Sequence, residues 1–138
     1  MIARVSVVIS IYTILLLGCA TGTSAPTVTM SEEDAELAVY NYLYDTAVTS
    51  HGKQVLAAYM DAGGWGGQWP PNELTDQGWY IYDVKYKDDI ESSLILNDLF
   101  ELAPSGECYT LCWLVYPDGD VVPITGNALR LEAELIGD

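Results

Sequence analysis

Between Gly63 and Gly78 the chain reads GGWGGQWPPNELTDQG. No regular element survives two glycine pairs and the consecutive prolines Pro70 and Pro71. Glycine has no preferred backbone basin, and proline lacks the donor that helix and sheet ladders use. This segment is longer than an ordinary connection, and loops of that length tend to carry function or to be disordered. More important for the fold, it separates two different hydrophobic periods. Helical spacing lies before it and strand spacing after it, which predicts an α+β domain with an N-terminal helix or helix pair packed on a small antiparallel sheet.

Upstream, Ser31-Glu32-Glu33-Asp34 opens a helix. A serine three residues ahead of a carboxylate resembles a capping box, and acidic side chains suit the positive end of the helix dipole. Ala35, Ala38, Val39, Tyr42 and Leu43 then recur at helical spacing, predicting a helix to about Thr49. Leu37, Tyr40 and Tyr44 widen the apolar arc and predict cover on more than one side. Gly52 is expected to break this helix, with KQVLAAYMDA resuming as a shorter one that ends at Gly63-Gly64.

Downstream the period is two. In WYIYDVKYK, Tyr80, Tyr82, Val84 and Tyr86 share one face of a half-buried strand, and Asp83, Lys85 and Lys87 share the other. CYTLCWLVY places Tyr109, Leu111, Trp113 and Val115 on one face; Pro117-Asp118-Gly119-Asp120 turns the chain, and VVPIT returns as a hairpin. Residues 92–102 are ambiguous between helix and strand. Residues 127–136 alternate like a strand but consist of helix formers behind Asn127, which favours a short capped helix. A long first helix across an antiparallel sheet resembles the cystatin-like and nuclear-transport-factor-like architectures, which host unrelated functions.

The N-terminus bears on location. Arg4 is followed by 13 uncharged residues, Val5 to Leu17. As a helix they would rise about 20 Å, short of the roughly 30 Å hydrocarbon layer, but they fit the apolar region of a signal peptide. The run ends in Leu16-Leu17-Gly18-Cys19. This order of charge, apolar run, small residue and cysteine resembles the lipobox of prokaryotic lipoproteins. The resemblance covers residues 1–19 only. It implies cleavage of residues 1–18 and a diacylglyceryl group on Cys19. Two acyl chains meet the requirement for stable anchoring, since a single chain holds only marginally. Residues 19–30 would then be a flexible tether, ATGTSAPTVT spanning about 15–20 Å. Residues 31–138 would be one extracytoplasmic domain, lipid-anchored to the cell membrane. Ala20 stands where an aspartate is associated with inner-membrane retention, which leaves outer-membrane sorting open in a double-membraned bacterium.

The whole chain carries 5 basic and 20 acidic residues. Loss of Arg4 with the signal peptide leaves 4 against 20, a net charge of −16. Nucleic-acid binding, which rests on Lys and Arg against phosphates, is not expected. Anionic headgroups would hold the domain off the bilayer surface. With Cys19 lipidated, Cys108 and Cys112 remain, about 13 Å apart on one strand face and beyond disulfide reach, so two half-buried thiols are expected. With one histidine and this cysteine pair no metal site is expected, and no cofactor is implied.

Candidate contact residues are Trp65 and Trp69, placed either to stack on a sugar or partner or to fold back over the sheet, together with Tyr80 and Tyr82. His51 is expected at a helix C-terminus, and Asp118 and Asp120 in a tight turn. The expected role is binding or structural, with an envelope protein or glycan as ligand. The alternative is an envelope hydrolase using Asp61, Glu73 or Asp76 beside the tryptophan loop.

Overall fold

The computed structural model describes residues 30–63 and 70–137. The signal segment, Cys19, nearly all of the tether, Trp65 and Trp69 lie outside the described residues. Among the described residues, no helix is long and apolar enough to cross a membrane.

The fold is α+β, with four helices and a four-stranded antiparallel sheet among the described residues. Helix α1 spans Glu32–Thr46, and the Ser31 hydroxyl accepts from the Asp34 amide at 3.1 Å, the first half of the anticipated cap. Its buried line is Ala35, Val39 and Leu43, whereas Leu37, Tyr40 and Tyr44 are exposed. The predicted second cover over α1 is therefore corrected: one apolar stripe is buried and the wider arc faces outward.

Helix α2 spans Ser50–Asp61 and contains Gly52 in its first turn. The break instead falls at Ala47–Thr49, where the Thr49 hydroxyl accepts from the Gly52 amide at 2.9 Å and starts a new helix. Gly52 serves close packing. A Cβ there would lie well inside contact distance of the Leu135 carbonyl oxygen. His51 accordingly sits near the start of α2 rather than at a helix end, and its Nε2 lies 3.1 Å from the Glu134 carboxylate.

The long connection contains a short edge strand, β1 (Glu73–Leu74), which pairs with β2 (Trp79–Tyr86). Helix α3 (Lys87–Glu91) follows, then turns through 92–99, so residues 92–102 are neither a helix nor a strand. They are held by two side chains, Leu96 and Phe100, both buried. Strand β3 (Cys108–Val115) pairs with β2 along its whole length and with β4 (Val121–Pro123) through the expected hairpin, giving the order β1-β2-β3-β4. Gly119, at φ 95°, occupies the left-handed position of that turn. Helix α4 (Gly126–Ile136) resolves the last ambiguity in favour of helix. Its cap is Thr125; Asn127 lies inside the first turn, buried, and clamps residue 101 through both its backbone groups at 2.8 Å.

One core joins the layers. Ala35, Val39 and Leu43 of α1, Val55, Leu56 and Tyr59 of α2, and Ala128, Leu131 and Leu135 of α4 pack on Ile81, Leu111, Trp113 and Val115 of the sheet. This fixes which face of β2 meets the helices, and it is the face carrying Ile81, Asp83 and Lys85. The tyrosine face, with Tyr80, Tyr82, Val84 and Tyr86, lies on the opposite side with Cys108 and Cys112. Both cysteines are free and buried, which corrects the expectation of half-buried thiols.

Candidate functional site

The helix-facing residues of β2 supply the chemistry. Lys85 is only 7 % exposed, yet its ammonium is well partnered. Nζ donates to the Ala62 carbonyl at 3.0 Å, lies 3.4 Å from Asp83 Oδ2 and stands 4.5 Å from the centre of the Tyr59 ring. Tyr59 in turn donates its hydroxyl to Asp83 Oδ2 in a short hydrogen bond. A buried ammonium survives only with such compensation, because its desolvation costs several kcal/mol. The end of α2 supplies both the Tyr59 ring and the Ala62 carbonyl, so helix and strand are locked together at this point.

Asp83 also lines a cleft of about 200 Å³ between α1 and the sheet. Glu36, Val39, Tyr40 and Leu43 of α1 form one wall; Tyr59, Ile81 and Trp113 form the inner part, and Tyr82 contributes to the strand side. Asn72 braces the mouth, donating at 2.9 Å to both Glu32 and Glu36 and accepting from the Tyr82 amide at 2.8 Å. Tyr40 is exposed at the rim. Trp113 is 1 % exposed, and its buried Nε1–H has no acceptor among the described residues. Leaving such a donor unmet costs about 1–3 kcal/mol. The contrast with Trp79 is direct, because that indole donates to the Met30 carbonyl at 2.7 Å.

Two carboxylates, Glu36 and Asp83, line the cleft. Burial, then the charges of Asp83 and Glu36, raise the Tyr40 phenol above its ordinary range. Burial and Asp83 raise Tyr59 well above it. Both phenols are thus held neutral. Tyr82 is also raised, first by burial and then by Cys112, which it faces across the ladder. Burial pushes the Cys112 thiol up to about 11, against the lowering effect of a hydrogen bond with the Tyr82 side chain. A thiol of this kind is not a nucleophile near neutrality.

The anticipated site residues fall elsewhere. Tyr80 and Tyr82 are half-buried, and only Tyr82 touches the cleft. Asp61 ends α2, Glu73 lies on edge strand β1, and Asp76 sits in the turn before β2; all three are exposed. Asp118 Oδ1 accepts from the Asp120 amide at 3.0 Å, as a turn residue does. Among the described residues no group of three or more His, Cys, Asp or Glu could hold a metal ion. Sequence reasoning did not single out Glu36, Tyr59, Asp83, Lys85 or Trp113. One signal was present: opposite charges two residues apart share a strand face with Ile81. Comparison with known protein families, characterised proteins and solved structures finds no match.

Proposed function

We propose that this protein is a lipid-anchored extracytoplasmic binding domain, held to the membrane through Cys19, with the cleft between α1 and the sheet as its ligand site. The observation that carries the binding role is the concave space between α1 and the sheet, where the carboxylates of Glu36 and Asp83 and the phenols of Tyr40 and Tyr59 line an otherwise apolar wall. Ligand sites are concave and mostly apolar, with a few convergent polar groups, and this cleft has that composition on a small scale. The anchor rests on Leu16-Leu17-Gly18-Cys19 and the preceding apolar run. At the domain end of the tether, the Met30 carbonyl is tied to the Trp79 indole. Eleven residues from Cys19 to Thr29 would separate lipid from domain. The strongly acidic chain would stand off anionic headgroups rather than lie on them.

The test is to express the chain in a bacterium with and without Cys19→Ser, fractionate the cells, and determine the N-terminus by mass spectrometry. The expected result is a membrane-bound form that begins at lipid-modified Cys19 and a variant that loses the lipid. Soluble cytosolic protein that retains Met1 and an unmodified Cys19 would overturn the anchor.

A further inference from the structure

Strand β4 leaves a row of backbone groups unused at the edge of the sheet. It has β3 on one side and, among the described residues, no strand on the other. Bonded pairs alternate along an antiparallel ladder. The Tyr116 amide donates to the Asp120 carbonyl and the Ile124 amide to the Cys112 carbonyl, both at 2.8 Å, with Leu114 opposite Val122 between them. Residues 120, 122 and 124 therefore bond toward β3, and the backbone groups of Val121 and Pro123 point away from it. Proline has no N–H, so this edge offers one donor, at Val121, and two carbonyls. Among the described residues the Val121 N–H has no partner. The edge opens into a groove of about 490 Å³, with Ala38, Tyr42 and Asp45 of α1 on one side and Asp120 and Val121 on the other. That volume lies within the range of ligand clefts, roughly 300–1,000 Å³.

An unpaired strand edge accepts an extended chain as a further strand. Main-chain bonds then supply affinity, and the side-chain surroundings supply choice. Here the surroundings are acidic. Asp45 and Asp120 are the charged residues of the groove, and no Lys, Arg or His lines it. Burial, then the hydrogen bond and charge of Glu132, raise the Tyr42 phenol above its ordinary range, so that part of the helix wall stays neutral. A second copy is a poor occupant, because a chain with 20 acidic and 5 basic residues would set like charges against each other across the edge. A strand bearing lysine or arginine would pair with both carboxylates. We infer that β4 and α1 form a docking groove for an extended segment of a basic partner protein, which adds as a further strand along Val121–Pro123 and sets lysine or arginine side chains against Asp45 and Asp120. This inference is independent of the cleft, which lies on the other flank of α1 with Glu36 and Tyr40.

The experiment titrates the full chain, in neutral detergent micelles, with blocked hexapeptides. One alternates lysine with valine, one alternates glutamate with valine, and the last is the lysine peptide N-methylated throughout, which blocks ladder pairing. Calorimetry reads binding, and heteronuclear NMR reads amide hydrogen exchange. The lysine peptide should bind and slow exchange at the Val121 amide about tenfold at saturation, because that N–H gains an acceptor. The glutamate and N-methylated peptides should bind at least about tenfold more weakly. Val121→Pro removes the outward donor at an edge position where proline is tolerated, and should weaken the lysine peptide about tenfold. Asp45→Asn combined with Asp120→Asn should do the same, whereas Glu36→Gln, in the cleft, should not. If the proline variant does not fold, the Val121 exchange rate and the N-methylated peptide carry the test. Lysine-peptide binding that leaves Val121 exchange unchanged, or that survives N-methylation, would overturn strand addition. Equal affinity for the glutamate peptide would overturn the basic partner. Binding abolished by Glu36→Gln would move the peptide to the cleft and refute the groove. Binding by none of the peptides would refute the proposal outright.

Discussion

Asp83→Asn is the most informative single change in this fold. The substitution is nearly isosteric and removes one charge, leaving Lys85 buried with the Ala62 carbonyl at 3.0 Å and the Tyr59 ring as its remaining partners. The Lys85 side chain is 9 % exposed against 24 % for Asp83, so the orphaned ammonium cannot recover its hydration where it lies. Breaking a buried pair from one side costs about 3–5 kcal/mol. At roughly 4 °C per kcal/mol for a domain of this size, Tm should fall by about 12–20 °C. Lys85→Met should cost less, about 1–3 kcal/mol, because Asp83 keeps the Tyr59 hydroxyl and some contact with water. The double variant removes both charges and should lie closer to wild type than the sum of the single changes, with a coupling of about 2–3 kcal/mol. Urea denaturation of all four proteins reads these values. A loss below about 1 kcal/mol for Asp83→Asn, or single losses that simply add, would refute the cluster as an energetic unit.

Three further expectations follow from local geometry. Gly52→Ala should destabilise the domain by about 1–3 kcal/mol in thermal melts, although alanine normally favours a helix, because the new methyl meets the Leu135 carbonyl; an unchanged or raised Tm would contradict the close α2–α4 approach. Cys108 and Cys112 should resist thiol reagents in the native state near pH 7 and react only in denaturant, read by mass shift, since both are buried and the Cys112 thiol is pushed up to about 11; rapid native labelling would disprove it. Tyr59 has a raised folded pKa, so its contribution is complete below about pH 10, its unfolded value, and is lost as pH rises through the folded value. Denaturation midpoints should therefore fall above about pH 10, and Tyr59→Phe should flatten that fall; a midpoint that rises with pH there would reverse the sign of the argument.

Much of the architecture was legible because it follows from local period and capping. Ser31 and the Ala35–Val39–Leu43 line define α1, and the alternation of Tyr109, Leu111, Trp113 and Val115 identifies the core face of β3. The face of β2 was not legible. Tyrosine rings at 80, 82 and 86 resemble a buried stripe, whereas Asp83 and Lys85 resemble a solvated one. Asp83 and Lys85 nonetheless face the helices, because Tyr59 and Ala62, more than twenty residues earlier, supply their partners. No single-strand pattern contains that information. The cleft was hidden for the same reason, since it exists only once α1 lies over the charged face of β2. Residues 92–102 defeated periodicity because two side chains, Leu96 and Phe100, hold an irregular path while Leu94 points outward.

The account turns on whether the cleft, rather than the tryptophan loop, is where this domain meets its ligand. The amide and indole N–H resonances of the full chain, followed by heteronuclear NMR during titration with a panel of small water-soluble amines, acids and sugars, address this directly. The amide signals of Glu36, Tyr40 and Asp83, which line the cleft, should move together, while the indole signal of Trp79, bonded to Met30, should stay in place. A titration in which Trp65 or Trp69 moves and the cleft residues do not would contradict it.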